Sequence, residues 1–397
     1  MPGRKTLLLA AVAAMVVVPL APGRDAPLSV RLARALAHGD RTGAVAVDLA
    51  TGRVVFAHNA GMALVPASNE KLAVAYAALV ALGPSYRIRT ELVGEGHREG
   101  PLWRGNLVLK GRGDPTLSRA GLRGLAHRLR VLGIKRVTGS IVGDESFFDM
   151  LRTAAGWKPS FYLDESAPLS ALTVDEGRLL AGGVAAQPAL VAAGAFRHAL
   201  RLEGIAVGGP PKVARAGRGV PLAARASPPL AAIVRRMDSR SDNFTAEILL
   251  KELGAVLGAG GTTSAGARVA HSVLAEAGVP MAGVRLADGS GLSSLDRLTP
   301  SALAAILVRA WQDSKLRDVF VGSLALSGRT GTLIHRLRGP RTLGRIRAKT
   351  GTTDLACALS GYAGRRFAFV VIQNGRPVAL WAAREAQDRF VRVLAAQ

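Results

Sequence analysis

The sequence predicts an α/β (α+β) fold in which a domain with an antiparallel sheet flanked by helices is interrupted by an inserted α+β domain. Residues 27–37 have helical spacing, and residues 43–59 read as two strands around a turn at Thr51-Gly52-Arg53. Residues 93–219 instead contain short strands and loops rich in Gly, Pro and Ala. Helical patterns return after residue 228, and the chain closes with strand-like segments and a helix. We therefore expect a signal peptide at 1–26, the first part of one domain at 27–92, the inserted domain at 93–219 and the second part of the first domain at 220–397.

The individual elements follow from local patterns in the same order. A helix is expected from about Ser68 to Leu82, because an apolar stretch ends there at Gly83-Pro84. The inserted region predicts strands at 105–111 and 137–145 around a helix at 119–133. The last part predicts helices at 228–237, 244–258, 266–278, 300–312 and 383–396, and strands at 344–351, 356–364 and 365–375.

The N-terminus has the pattern of a secretory signal peptide. Arg4 and Lys5 give a basic start, and an apolar run follows from Leu7 to Leu20. A run of this length is typical of a signal-peptide core and is short for a membrane-spanning helix. We therefore expect cleavage near Ala21 and export to the periplasm or an extracellular cell-wall compartment. An uncleaved signal anchor is the one expected route to membrane attachment.

The composition indicates a globular chain with a strongly positive surface. Of the 397 residues, 49% are hydrophobic, and 52 Lys and Arg against 28 Asp and Glu give a formal net charge of +24. The basic residues are spread along the chain and only 5% of residues are aromatic, which argues against a nucleic-acid partner. The single cysteine, Cys357, excludes an internal disulfide. We interpret the charge as a surface suited to an anionic cell envelope.

Three short motifs point to one kind of chemistry. They are Ser68-Asn69-Glu70-Lys71, Ser241-Asp242-Asn243 and Lys349-Thr350-Gly351. Together S-x-x-K, S-D-N and K-T-G form a known serine-nucleophile set.

The first motif pairs a nucleophile with a base. Ser68 and Lys71 are three residues apart and share one face of a helix, so the amine can take the hydroxyl proton if the ammonium is destabilised. Burial or a second cation can do this, and Lys349 is the candidate cation. The start of a helix also directs free N–H groups toward the anion that forms in acyl transfer.

The other two motifs supply groups around that pair. Ser241 and Asn243 are close enough to face one cavity, where one relays a proton near the leaving group and the other bonds a substrate amide. Lys349 adds positive charge on a predicted strand, whose edge can pair with an extended peptide.

The residues after Lys349 complete the predicted binding site. Thr350 and Thr352 offer hydroxyl groups, and Gly351 lets a ligand approach the backbone.

Each motif also has a simple structural explanation when taken alone. Ser68 could merely begin a helix with Lys71 in solvent, and the residues from Ser241 to Asn243 are all good helix caps. Lys349 to Gly351 could be an ordinary strand end. The occurrence of all three motifs in this order favours the catalytic interpretation.

Cofactor and metal signals are weak. The stretch "GAGGTTSAG" lacks the lysine of a phosphate loop. Seven scattered histidines show no metal-binding spacing, so we expect neither a metal nor a cofactor.

On these motifs the chain resembles the class C low-molecular-mass penicillin-binding proteins, the D-alanyl-D-alanine carboxypeptidase/endopeptidase family. The resemblance covers nearly all of the chain after the signal and includes, in the family's order, "PASNEKLAVAYAALVALGP", "KGRGDPTLS", "GDESFFD", "SDNFTAEILL", "DGSGLS", "GTL" and "RAKTGTT…LSGY".

The resemblance implies a penicilloyl-serine transferase fold and an exported serine-type D-Ala-D-Ala carboxypeptidase, with D,D-endopeptidase activity left open. It implies acylation of Ser68 with Lys71 as base, and a substrate carboxylate held by Lys349, Thr350 and Thr352. The N–H groups of Ser68 and Thr352 would form the oxyanion hole. Peptidoglycan peptides would be substrates and β-lactam antibiotics covalent inhibitors.

One departure and two rival functions remain. The inserted region is shorter than is usual in the family, chiefly between about Asp175 and Gly194, which puts substrate specificity in doubt. A β-lactamase or esterase on the same fold is one rival, although no glutamate loop of the class A β-lactamase kind is evident. A non-catalytic cationic cell-wall-binding protein is the other, and the oligomeric state is left open.

Overall fold

The computed structural model describes residues 26–36 and 41–397. The predicted signal peptide lies almost entirely outside the described residues. The strands are β1 (Thr42–Asp48), β2 (Val54–His58), β3 (Arg89–Glu99), β4 (Leu102–Lys110), β5 (Arg136–Val137), β6 (Ile141–Asp144), β7 (Ala206–Val207), β8 (Lys212–Val213), β9 (Val220–Ala226), β10 (Ala325–Leu326), β11 (Ile346–Thr352), β12 (Ala356–Ala363) and β13 (Phe367–Asn374). The helices are α1 (Leu28–Ala35), α2 (Glu70–Ala81), α3 (Arg119–Val131), α4 (Phe161–Asp164), α5 (Pro188–Leu202), α6 (Leu230–Arg240), α7 (Asn243–Leu257), α8 (Thr263–Glu276), α9 (Pro300–Gln312), α10 (Arg317–Ser323) and α11 (Leu380–Ala395).

The first sheet joins the two ends of the chain. Its strand order is β10-β11-β12-β13-β1-β2 and every neighbouring pair is antiparallel. Strand β1 pairs with β13 along its whole length, from Thr42 opposite Gln373 to Asp48 opposite Phe367. The prediction of an antiparallel sheet flanked by helices, built from the first and last parts of the chain, is therefore confirmed.

Strand β13 shows why this sheet has helices on both faces. Its side chains alternate between two buried clusters, as the two-residue period of a strand requires. Ala368, Val370 and Ile372 pack in the core formed with α2 and α6 to α10. Phe369 and Val371 pack on the opposite face with α1 and α11. Both faces are covered, which explains the continuous apolar run at this point in the sequence.

A second, seven-stranded sheet lies within the middle of the chain. Antiparallel pairs join β4 to β3 and β3 to β9, while β5, β6, β7 and β8 are added through parallel pairs. Helices α3 and α5 pack against this sheet around Leu107, Leu125 and Phe196. The middle region thus has a core of its own.

The limits of the inserted domain stay a prediction, and the second sheet suggests a change to them. A start at residue 93 would cut β3 after its fourth residue, and an end at 219 would exclude β9, although β9 pairs with β3. We propose that the inserted domain runs from Arg89 to Ala226.

The stretch between Asp175 and Gly194, which the sequence predicts to be shorter than is usual in the family, contains little regular structure before α5. A 3₁₀ turn at Asp175–Gly177 and a bridge between Arg178 and Val184 lead directly into α5.

Candidate active site

Ser68 lies on a tight turn that precedes α2. A 3₁₀ turn at Ala67–Asn69 carries it, and the hydroxyl makes no capping hydrogen bond to the helix. Ala67 has a φ of 47°, a left-handed conformation that costs a residue with a Cβ free energy. Ala67 is completely buried, so the surrounding packing holds this conformation. The simple explanation of Ser68 as a helix cap is therefore wrong.

Lys71 is buried beneath Ser68 and points its amine at three oxygen atoms. The side chain has no exposed surface. Its Nζ lies 3.0 Å from Ser68 Oγ, 2.7 Å from Asn243 Oδ1 and 2.5 Å from the Ser290 carbonyl oxygen. A solvated lysine, the alternative considered from the sequence, is excluded by this geometry.

Burial lowers the pKa of Lys71 to about 8, because the ammonium is withdrawn from water. Several carboxyl groups act against this shift and raise the pKa: Asp288, Glu247, Asp242 and Asp238. The principal cause is thus burial, one of the two causes that the sequence left open. At neutral pH a useful fraction of the amine can be the free base.

In the second motif, Asp242 caps a helix, while Ser241 and Asn243 line the cavity. Asp242 caps α7 by accepting a hydrogen bond from Thr245 N at 3.1 Å. Ser241 ends α6 in a left-handed conformation with a φ of 61°. Asn243 begins α7 and donates its amide Nδ2 to the Glu165 carbonyl at 3.0 Å, which leaves Oδ1 facing Lys71. Capping by Asp242 therefore frees its two neighbours for the site.

Lys349 is the second buried lysine of the site. It lies on β11, has no exposed surface, and donates to Ser241 Oγ at 2.7 Å and to the Thr350 carbonyl at 2.9 Å. Burial, and then the charge of Lys71, hold the pKa of Lys349 well below its ordinary value, while Asp238 acts in the opposite direction. An anion in the cavity would favour the charged form of Lys349, so the site is suited to bind one.

Gly351 allows β11 to approach the turn that carries Ser68. A Cβ at this position would lie 3.0 Å from Asn69 Nδ2, 3.0 Å from the Pro66 carbonyl and 3.1 Å from Ser68 N. Contacts this short are rare for a side-chain carbon. The sequence suggested that this glycine admits a ligand; the close approach in the structure is to the turn of the protein itself.

The predicted residues surround one cavity of about 470 Å³. Ser68, Ser241, Asn243, Thr350 and Thr352 line it. The two lysines reach Ser68 and Ser241 from below, as described above. The three sequence motifs, which are up to 280 residues apart, therefore meet at a single place.

The same cavity has walls that the sequence analysis did not assign. Glu165 comes from the inserted region, and its Oε2 lies 3.4 Å from Asn243 Nδ2. Leu292 and Thr332 belong to the "DGSGLS" and "GTL" stretches, a signal that could have identified them. No comparable signal marks the remaining lining residues, which are His335, Arg336 and Arg384.

Buried carboxyl groups lie beneath Lys71. Asp288 accepts hydrogen bonds from Gly291 N, Ser293 N, Ser290 Oγ and the Trp157 indole. Glu247 Oε1 accepts from Gly289 N and Ser290 N, and burial raises the pKa of Glu247 to about 8. These bonds fix the loop from Asp288 to Ser293, whose Ser290 carbonyl contacts Lys71.

A hydroxyl in contact with a buried amine, on a two-part fold with an inserted region, is typical of serine hydrolases in which lysine is the base. Comparison with known proteins identifies the group. The chain belongs to the D-Ala-D-Ala carboxypeptidase 3 (S13) family, whose sequence profile matches residues 26–184 and 179–397. It is therefore a hydrolase of the serine peptidase class, as the sequence predicted.

Relatives of known activity are similar over most of the chain. The D-alanyl-D-alanine carboxypeptidase of Actinomadura sp. (strain R39) is 30% identical over an alignment of 431 positions, gaps included, that covers 85% of this chain and 78% of the relative. The carboxypeptidase DacB of Mycolicibacterium smegmatis is 32% identical over 378 residues, covering 87% and 80%.

A solved structure confirms the fold. Penicillin-binding protein 4 (dacB) of Haemophilus influenzae matches with a TM-score of 0.82 at 23% identity, covering 93% of this chain and 98% of the other. The predicted penicilloyl-serine transferase fold with an inserted domain is thus confirmed.

The described residues also bear on metal binding and on membrane crossing. Within residues 26–36 and 41–397, no group of three or more His, Cys, Asp or Glu side chains could hold a metal ion. Across that same part of the chain, no helix combines the length and apolar character needed to cross a membrane.

Proposed function

We propose that the protein is an exported serine-type D-Ala-D-Ala carboxypeptidase that cleaves peptidoglycan stem peptides through an acyl-enzyme on Ser68. The observation that carries this proposal is the 3.0 Å contact between Ser68 Oγ and the Nζ of the buried Lys71. Carboxypeptidase activity in the named relatives of the same family supports the choice of reaction.

Acylation follows from the bonding of Lys71. A neutral amine has two N–H bonds and one lone pair, and three oxygens surround Nζ. Asn243 Oδ1 and the Ser290 carbonyl can only accept hydrogen bonds, so they take the two N–H bonds. The lone pair is then left for the Ser68 hydroxyl proton, and the freed oxygen attacks the carbonyl carbon between the two D-alanines.

The same proton returns as the peptide bond breaks. The attack places negative charge on the substrate oxygen, and the backbone N–H groups of Ser68 and Thr352 are the proposed donors to it. Collapse of the tetrahedral intermediate releases D-alanine, whose nitrogen takes the proton from Lys71 through Ser241. Water then hydrolyses the ester on Ser68 and restores the enzyme.

The substrate carboxylate is proposed to lie at the third motif. Thr350 and Thr352 line the cavity, and Lys349 is held beneath it by Ser241. A carboxylate at this position would meet hydroxyl donors and would favour the ammonium form of Lys349 beside it. The exposed Arg384, which also lines the cavity, adds positive charge.

Location and inhibition complete the proposal. The N-terminal pattern supports export to the periplasm or to an extracellular cell-wall compartment, where peptidoglycan is found. Acylation of Ser68 by β-lactams is proposed on the same chemistry. A penicillin-binding protein 4 structure has been solved in complex with a β-lactam, and that neighbour supports this proposal.

A β-lactamase is the second candidate, and one observation favours it. Glu165 places a carboxyl group in the cavity beside Asn243, where it could activate water against the acyl-enzyme. Rapid turnover of penicillin that is lost in Glu165→Gln would favour this candidate. A penicillin adduct that persists for hours would exclude it.

Release of D-alanine tests the main proposal. We expect the purified protein to release D-alanine from a monomeric pentapeptide, and Ser68→Ala and Lys71→Ala to release none. A cross-linked dimer assayed in parallel determines whether endopeptidase activity accompanies it. Binding to peptidoglycan without release of D-alanine would contradict the proposal and support the non-catalytic wall-binding alternative.

A further inference from the structure

The inserted region reaches the neighbourhood of Lys71 at two places. One contact is to the loop that carries the Ser290 carbonyl, and the other is to the side-chain amide of Asn243, and Lys71 bonds an oxygen of each. We infer that the segment 155–165 of the inserted region positions Lys71 by fixing its two non-reacting hydrogen-bond acceptors. Trp157 is the positioning residue that this inference identifies. The inference rests on the proposed function, because it assigns a role in the acylation of Ser68.

The first acceptor is the Ser290 carbonyl, which depends on Asp288. The carboxylate of Asp288 is completely buried and accepts four hydrogen bonds, three of them from its own loop. The fourth donor is the indole Nε1 of Trp157, at 2.8 Å from Oδ2. Without that donor, a buried carboxylate oxygen loses a partner, and the loop that presents the Ser290 carbonyl loses one of its restraints.

Two further contacts tie the same segment to the loop. Ser293 Oγ donates to the Ala155 carbonyl at 2.6 Å, and Ser294 N donates to the Gly156 carbonyl at 3.4 Å. Gly156 has a φ of 82°, and a Cβ there would lie 2.5 Å from Ser293 Oγ. The backbone of the inserted region therefore packs directly on the loop, with no room for a side chain between them.

The second acceptor is Asn243 Oδ1, which depends on Glu165. The Glu165 carbonyl accepts from Asn243 Nδ2 at 3.0 Å, and this fixes which end of the amide faces Lys71. Rotation of that amide by half a turn would aim a donor at the amine. That donor would compete with the Ser68 hydroxyl for the lone pair of Lys71, and the lone pair would no longer be directed at Ser68 alone.

The test compares two tryptophan variants. Trp157→Phe keeps an aromatic ring and removes the N–H donor to Asp288 together with part of the ring volume, a loss of volume that the control variant shares. Trp103→Phe is the matched control, since Trp103 Nε1 donates to the Asn106 carbonyl at 3.2 Å within the inserted sheet, away from Lys71. Ser293→Ala is a second test variant, because it removes the contact to Ala155 by a smaller change. Thermal unfolding of each variant establishes the temperature at which it is folded.

The readout is the acylation rate by a fluorescent penicillin as a function of pH. We expect Trp157→Phe to lower the plateau of the acylation rate about tenfold, as for a lost hydrogen bond to a charged group. Ser293→Ala should lower it about threefold, because the bond it loses is to the neutral Ala155 carbonyl. The pH at which the acylation rate levels off should also fall in both variants. A weakened acceptor stabilises the ammonium form of Lys71 less and so lowers the pKa of Lys71. Trp103→Phe should change the melting temperature alone.

The inference and the proposed function fail in different ways. Wild-type acylation with unchanged profiles in Trp157→Phe and Ser293→Ala would overturn the inference and leave the proposed function standing. Absence of acylation in the wild type would overturn both.

Discussion

The rate of acylation should depend on pH through the buried base. Burial sets the pKa of Lys71 at about 8, so the free amine makes up about 9% of the protein at pH 7 and about 91% at pH 9. The acylation rate should therefore rise about tenfold over this interval and then level off. A solvated lysine with an ordinary pKa would be only about 3% free base even at pH 9, and its profile would rise without a bend.

Single-turnover labelling by a fluorescent penicillin from pH 6 to pH 10 measures this profile. Ser68→Ala, treated identically, corrects for hydrolysis of the reagent by hydroxide. A rate that is flat over the range, or one that still rises in proportion to hydroxide at pH 10, would refute the assignment of Lys71 as a buried base.

Three further predictions follow from packing and burial. Gly351→Ala should lower acylation about tenfold in stopped-flow assays, because its Cβ would displace the Ser68 turn by a few tenths of an ångström; an acylation rate equal to that of the wild type would show that the turn moves without loss of activity. Glu252→Gln should be increasingly more stable than wild type as pH rises from 5 to 8 in thermal melts. Burial raises the pKa of Glu252 to about 7, so ionisation in the folded state costs about 3 kcal/mol; a constant difference between the two proteins would contradict this. Phe196→Ala should cost about 3–5 kcal/mol in urea unfolding, since the ring is completely buried in the inserted core; a loss under 1 kcal/mol would show that this core is unimportant.

The fold class and the residues of the three motifs could be predicted because each leaves a local trace in the sequence. The apolar run of β1 and the apolar period of α7 are properties of short segments. Partners far apart in the chain leave no such trace. The pairing of β3 with β9 leaves no local trace for this reason, and the wider limits that we propose for the inserted domain, Arg89 to Ala226, rest on that pairing.

The sequence predicts which residues form the site, but it does not predict most of the contacts between them. Ser68 and Lys71 are neighbours in sequence, so their meeting needs only a helix. The left-handed Ala67 and the bond from Trp157 to Asp288 depend on packing between distant segments, and nothing in either residue type signals them. Glu165 was overlooked because its backbone carbonyl, an atom common to every residue, makes its closest contact with Asn243.

Mass spectrometry of the protein after incubation with penicillin tests the central claim most directly. We predict an adduct of one penicillin mass, located by peptide mapping on the fragment that contains Ser68 and missing from Ser68→Ala. An adduct on another residue, or equal labelling of the two proteins, would contradict the claim that Ser68 is the nucleophile.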